Sequence, residues 1–182
     1  MFALFLYFLA IFAELAFAFG FAVVTISFIY SSIKGSPYVP TKQKVINQIL
    51  KQANLKKNLN FFELGCGDGR VCREATNLYK VNALGIDVNP ILIWYARLLA
   101  KIKGDTKSQF IIQNIFNVDL SKANVVYLFL MPKMIDQLLP KFDKELKQQT
   151  LVISHGFKIV KWANKLRKKI SQKPFPTYFY QK

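Results

Sequence analysis

Gly65, Gly67 and Gly69 alternate between an apolar run at 59–64 and a stretch that reads as a helix beginning near Arg70. That arrangement leaves few folds open to the chain. Glycine has no Cβ, so a strand can end in a sharp turn whose backbone lies close to a ligand. The helix that follows offers free N–H groups and the positive end of its dipole. A second apolar run, 81–86, ends in Asp87. A carboxylate at the tip of the next strand is placed to accept hydrogen bonds from a ribose diol, as in dinucleotide-binding folds. The expected site is an adenosine-type pocket over the carboxyl ends of a parallel sheet.

Charge selects among adenosine cofactors. A dinucleotide fingerprint reads G-x-G-x-x-G and faces an anionic pyrophosphate. Here the spacing is G-x-G-x-G, with Glu63 opening the motif and Asp68 inside it. Two carboxylates repel a pyrophosphate but favour a cofactor carrying an ammonium and a sulfonium. S-adenosylmethionine fits that pattern and NAD does not.

The N-terminus is a second constraint. Residues 1–33 carry one charged side chain, Glu14, among Phe, Leu, Ala, Val and Ile. About 20 apolar residues cross a bilayer core, so the segment is long enough to span it with tilt. A secretory signal would open with a basic region and have a shorter apolar core. No Lys or Arg precedes Lys34, so the segment reads as an anchor. Glu14 is costly in lipid, and a single-span anchor tolerates it or a partner helix shields it. Lys34, Lys42, Lys44, Lys51, Lys56 and Lys57 follow. The positive-inside rule then puts the remainder on the cytoplasmic, or matrix-like, side.

The chain carries a net charge of +16, and no acidic residue follows Glu145. The basic tail, from Lys147 through Arg167, Lys168 and Lys169 to Lys182, suits anionic headgroups beside an anchor. Nucleic acid is the weaker reading, because no stacking platform or reading helix accompanies the charge. A simply solvated basic face is the plain alternative. Cys66 and Cys72 are the only cysteines and His155 the only histidine. That set gives no zinc-type ligand group, so no metal is expected. Both thiols read as reduced and structural.

Strand and helix alternate through the rest. Ser36–Pro40 reads as a linker, and Thr41 as the N-cap of a helix to about Ala53. Strands are expected at 59–64, 81–87, 109–113, 125–130 and 150–154, with a short closing strand within 174–180. Helices are expected at 70–80, from Asn89-Pro90 to about 103, and at 132–146. Residues 156–170 fit neither period. Near-continuous apolar strands in a βα alternation mean a buried parallel sheet with helices on both faces.

These residues carry a family resemblance. Glu63 through Val71, then Gly85-Ile86-Asp87-Val88-Asn89-Pro90 and Trp94-Tyr95-Ala96-Arg97, resemble a class I S-adenosylmethionine-dependent methyltransferase. The anchor, Pro37-Tyr38-Val39-Pro40-Thr41, and Asn124-Val125-Val126 through Met131-Pro132 narrow the likeness. They resemble the membrane-anchored protein-lysine methyltransferases of mitochondria and their prokaryotic relatives, whose eukaryotic members modify the ADP/ATP carrier and the ATP synthase c-subunit. The resemblance implies an α/β fold: a Rossmann-like class I methyltransferase sheet with helices on both faces, preceded by one N-terminal transmembrane helix. The implied division is an anchor at 1–33, a linker and first helix at 34–58, and the methyltransferase domain at 59–182.

The resemblance also implies roles. Gly65, Gly67 and Gly69 shape the cofactor loop, Glu63 and Asp68 serve the methionine end, and Asp87 holds the ribose. Cys66, Val88 and Ile115 complete the expected contacts. Where the family has Asp-Leu-Trp after the third strand, this chain has Asn114-Ile115-Phe116. The Asn114 carbonyl can still accept the adenine amino group, without the charge. Asp87 stands where relatives often have Glu, and the family's C-terminal part is expected to be abbreviated. Tyr38–Thr41 would lie over the cofactor, and Met131 and Pro132 would line the acceptor channel.

No general base is identified; Asp68 and Tyr38 are candidates by position alone. Asp68 reads first as a loop or cofactor contact, and His155 as structural. The leading expectation is lysine methylation of a membrane-associated protein. A lipid-soluble small molecule such as a quinone or lipid, and a non-catalytic cofactor-binding adaptor, are the alternatives.

Overall fold

A computed structural model describes residues 1–34 and 37–182. Strand β1 (Asn60–Leu64) is buried from Phe61 onward, as an apolar run covered on both faces must be. It lies between β2 (Asn82–Asp87) and β4 (Val125–Leu128), parallel to both. β3 (Ser108–Ile112) pairs with β2, and β5 (Leu151–His155) pairs with β4, again in parallel. β7 (Thr177–Gln181) runs antiparallel between β5 and β6 (Leu166–Ile170). The sheet has seven strands in the order β3-β2-β1-β4-β5-β7-β6.

Five helices accompany the sheet: α1 (Phe2–Lys34), α2 (Gln43–Ala53), α3 (Arg70–Tyr79), α4 (Pro90–Ile102) and α5 (Pro132–Glu145). One face of the sheet is covered by Ile46, Ile49 and Leu50 of α2 and Ala75 of α3, packed with Phe61 and Tyr127. The other holds Leu138 and Phe142 of α5 with Leu64, Leu128, Trp162 and Tyr180. The reversal of strand order at β1 and β4 opens a crevice at their carboxyl ends, where ligands of such sheets bind.

Local chemistry explains most boundaries. Asn89 caps α4, its Oδ1 accepting from the N–H groups of Ile91 and Leu92 at 3.0 and 3.2 Å, with Pro90 pre-set for the first turn. The helix expected to be capped by Thr41 instead has Lys42 at its N-cap, with no side-chain bond. The expected linker over 36–40 begins outside the described residues; from Pro37 the chain has no regular secondary structure up to Lys42.

Residues 156–170, unreadable by period, divide into a 3-10 turn, Val160–Lys165, and the edge strand β6. The turn sinks Trp162 against Phe142 and Tyr180, at ring separations of 5.8 and 6.4 Å. β6 bears exposed Arg167, Lys168 and Lys169, and an edge strand with charged side chains loses the apolar alternation that marks a strand. β6 and β7 extend the five parallel strands to a seven-stranded sheet.

In α1 the stretch Phe2–Ser27 is long and apolar enough to cross a bilayer core, and none of it is buried against the rest of the chain.

Candidate active site

The crevice over β1, β2 and β4 is a cleft open to solvent on one side. Glu63, Gly65, Cys66, Gly67 and Asp68 line it from β1 and the glycine loop. Asp87 and Val88 enter from the end of β2, Asn114 and Ile115 from beyond β3, and Tyr38 from the segment before α2. Gly69 alone among the expected contacts lies outside the lining. It is the N-cap of α3 in the left-handed region, φ +71°, and its Cα faces the Phe110 ring.

The loop is held from both sides. Gly65 and Cys66 donate their N–H groups to the Ile86 carbonyl at 2.8 and 3.0 Å. Gly67 donates to Asp87 Oδ2 at 2.8 Å, and Asn89 donates to Asp87 Oδ1 at 2.9 Å. Asp87 thus ties the glycine loop to the start of α4. Burial pushes its carboxyl above the usual range, while the N–H groups of Asn89, Gly67 and Val88 oppose the shift. A carboxylate oxygen accepts more than one hydrogen bond, so both retain capacity for hydroxyl donors.

Glu63 is buried, and its Oε2 accepts the N–H of Cys72 in the first turn of α3 at 3.0 Å. Burial raises its pKa to about 8, partly offset by the Cys72 bond. The carboxyl is therefore largely protonated at neutral pH until a cation comes near. Tyr127 lies opposite Glu63 in the β1–β4 register. It is 2% exposed and lines the cleft. Its hydroxyl has no partner of hydrogen-bond geometry, although the Thr41 side chain lies close enough to bias it. A buried hydroxyl without a partner is costly unless a ligand completes it.

Asp68 faces an arginine that sequence reasoning passed over. Arg70 Nε contacts both Asp68 oxygens at 3.0 and 3.1 Å, and Nη2 reaches Oδ2 at 2.8 Å. The same guanidinium donates to the Thr41 carbonyl and to the Tyr38 hydroxyl, each at 3.2 Å. Arg70 so fastens the 38–41 segment over the glycine loop. The Tyr38 ring lies on Gly67 so closely that a Cβ there would come within 2.8 Å of it. Burial, and then the Asp68 charge, hold the Tyr38 phenol above its ordinary value. Asn114 Oδ1 accepts the Phe116 N–H at 3.0 Å. Met131 and Pro132 begin α5 and lie outside the cleft, where Phe129, Leu130 and Met134 line the wall instead.

A second cavity adjoins the cleft, sharing Val39, Pro40, Thr41 and Phe129 with it. Three rings bound it. Phe129 stands 4.6 Å from His155 and 5.2 Å from Phe175, and His155 and Phe175 are 6.1 Å apart. His155 Nδ1 meets Thr177 Oγ1 at 2.8 Å, and Thr177 also receives the Gln172 amide at 2.9 Å. The Thr177 hydroxyl thus holds the imidazole in place through Nδ1.

Burial lowers the His155 pKa from 6.5 to about 4. The stability this neutral imidazole contributes is full above pH 6.5 and is lost as pH falls towards 4, because the unfolded chain takes up the proton first. Melting temperatures across that window are expected to fall with acid, and less steeply in His155→Phe. Among the described residues, no cluster of His, Cys, Asp and Glu has a metal-holding arrangement.

Comparison with known proteins agrees with this geometry. Residues 63–166 match the family model of the ANTKMT methyltransferase domain. A protein-lysine N-methyltransferase of Saccharolobus islandicus is 39% identical over 131 residues, which cover 71% of this chain and 81% of that protein. The human lysine N-methyltransferase of the ATP synthase c-subunit is 31% identical over 70% of this chain, which spans about half (54%) of that relative. An RNA methyltransferase from Salinibacter ruber, solved with S-adenosyl-L-homocysteine, superposes with a TM-score of 0.75 at 30% identity, covering 79% of this chain and 93% of its own.

Proposed function

The chain belongs to the ANTKMT methyltransferase domain family and is an S-adenosylmethionine-dependent methyltransferase; from that premise we propose that it methylates lysine side chains of a membrane-associated protein. The residues of the cleft fit the cofactor. It has a carboxylate at the end of β2, a glycine-lined loop, and at Tyr127 a buried hydroxyl with no hydrogen-bond partner among the described residues. When bound, S-adenosylmethionine supplies a methyl group already activated on sulfur. Asp87 accepts the ribose hydroxyls, Gly65 to Gly67 let the backbone approach, and Asn114 and Ile115 border the base. Glu63, Tyr127 and Asp68 surround the methionine end, with Cys66 and Val88 as packing walls and Gly69 setting the entry to α3.

The observation that carries the lysine reading is the largely apolar cavity beside the cleft, bounded by three rings and edged by Lys42 and Lys173, whose charge favours entry of the neutral amine. A lysine stem is apolar and its head cationic, and aromatic faces suit both. Once in the passage, the amine is partly desolvated, and its pKa falls towards the neutral form that attacks. Asp68 and Tyr38 are both engaged by Arg70, so the reading gives neither a proton-accepting role. The chain's contribution is alignment of amine and methyl rather than acid–base chemistry. The archaeal and human relatives both carry lysine methyltransferase names, which supports an amine acceptor over an RNA one.

Anchoring is part of the proposal. Residues 1–33 span the bilayer, 34–58 connect, and 59–182 form the catalytic domain on the lysine-rich, cytoplasmic-type side. Tethering raises the effective concentration of the site near integral proteins. Acetylating the lysines of acceptor membranes before the assay is expected to abolish methyl transfer. Undiminished transfer contradicts the lysine reading.

Glu63 provides a pH test. Its carboxyl, protonated below about 8, ionises when the cofactor ammonium arrives. Binding then releases a proton, and affinity climbs as pH rises towards 8. Calorimetry in buffers of different ionisation enthalpy is expected to detect that proton, and to find none with Glu63→Gln. Without ligand the sign reverses: the raised folded pKa makes the protein less stable as pH rises from 4.5 to about 8.

A further inference from the structure

Helix α4 is apolar on both sides. Leu92, Ile93, Ala96 and Ala100 are buried beneath it, against β2 and β3. Its outer face presents Trp94 (65% exposed), Tyr95, Leu98 and Ile102 (70% exposed), spaced i, i+1, i+4, i+8 along one stripe. A helix with an apolar outer stripe is normally covered by something.

The start of α4 indicates what covers it. Asn89, the N-cap of α4, accepts a hydrogen bond from Ser27 Oγ at 2.7 Å and donates its amide to the Ser27 carbonyl at 3.2 Å. Ser27 is the last residue of the stretch of α1 able to span a bilayer. The two bonds tie the beginning of α4 to the C-terminal part of α1, towards the end of the proposed anchor. Trp94 and Tyr95 follow within the next two turns, and these are the residue types that collect at the headgroup level. The charged residues of α4 are Arg97, whose guanidinium is held on the Phe110 carbonyl of β3, and exposed Lys101, with Lys103 just beyond, and the helix has no carboxylate. That is the charge sign an anionic leaflet attracts.

We infer that the outer stripe of α4 lies in the interfacial layer of an anionic bilayer, a second membrane contact beside α1. The inference rests on α1 being the anchor. It places the cofactor cleft, whose wall includes Asp87 and Val88 directly before Asn89, at headgroup height, within reach of lysines at the membrane surface.

The chain has two tryptophans, Trp94 and the core residue Trp162, 3% exposed, so fluorescence reports on this face. The full chain is reconstituted into phosphatidylcholine–phosphatidylglycerol vesicles containing brominated lipids. Trp94 is expected to emit at short wavelength and to be quenched more by bromines near the headgroup than by bromines near the bilayer centre. Aqueous iodide should leave it unaffected, and Trp94→Phe should remove the lipid-quenched component while Trp162 emission persists. Quenching by iodide would show the face in water, and shielding from both quenchers would show it covered by protein; either overturns the inference. Alkaline carbonate extraction separates the two layers of the proposal. Release of the chain sinks the anchor reading and this inference together, whereas retention with iodide-quenched Trp94 sinks this inference alone.

Discussion

Asp87→Ala is expected to weaken S-adenosylmethionine binding by roughly two to three orders of magnitude and to reduce methyl transfer to background. The carboxylate has two jobs that one truncation removes. It accepts the N–H groups of Gly67 and Asn89 at 2.8 and 2.9 Å, which hold the glycine loop against the start of α4. On the proposed reading it also accepts the ribose hydroxyls. Hydrogen bonds to a charged group contribute about 1.5–3 kcal/mol each, and each 1.4 kcal/mol is about tenfold in affinity. Asp87→Asn keeps the shape but not the charge, and is expected to lose about tenfold. Because burial holds the Asp87 carboxyl above its ordinary range, its charge is unfavourable to the ligand-free fold. In the Asn variant one acceptor oxygen becomes an NH2 facing the N–H of Gly67 or Asn89, which offsets the gain from removing that charge, so it should melt somewhat lower than the parent as well as bind more weakly. Calorimetric titration with a parallel thermal melt measures both, and a lower melting point with unchanged affinity would remove Asp87 from the site.

Gly69→Ala is expected to be the most damaging single methyl group in the chain. Gly69 has φ +71°, and a Cβ there would stand 2.6 Å from Cζ of Phe110, with Cε1 nearer still, and 3.1 Å from the Ala96 Cβ. The left-handed region costs an L-residue about 1–2 kcal/mol. Overpacking a core adds about 1–3 kcal/mol, and Phe110 is buried. A total of about 2–5 kcal/mol follows, enough to threaten folding of a marginally stable domain. Gly104 provides the control, since it too has positive φ, +64°, but meets nothing within 4 Å. Gly104→Ala should cost only the backbone part. Gly69→Ala combined with Phe110→Leu should cost less than the two changes added. Equal destabilisation at positions 69 and 104 would refute the steric account.

What the sequence disclosed and what it hid follow from the range of the interactions. The glycine loop, the Asp87 tip and the Asn89-Pro90 start of α4 are local signals, each written within a few residues. Alternation failed at β6 because Arg167, Lys168 and Lys169 sit on a sheet edge that needs no apolar face. Thr41 looks like a helix cap, yet its carbonyl is taken by Arg70 and α2 begins one residue later than a Thr41 cap would allow. Arg70 itself reads as an ordinary first helical residue; only folding brings Tyr38, Thr41 and Asp68 around it. Tyr127 is indistinguishable from its apolar neighbours until its register opposite Glu63 is known. The rings of Phe129, His155 and Phe175 come from the loop after β4, the end of β5 and the loop before β7, so no spacing in the chain announces them. Gly69 was legible as a glycine of the loop but not as the partner of Phe110, which follows from the packing of β3.

The most direct test of the central claim is transfer of labelled methyl from S-adenosylmethionine by the full chain into membranes of its host lacking the gene, followed by acid hydrolysis and amino-acid analysis. The account predicts label in a discrete protein band, recovered as methyl-lysine and absent with Asp87→Ala. Label that extracts into organic solvent, or no transfer by a protein that still binds the cofactor, would contradict it.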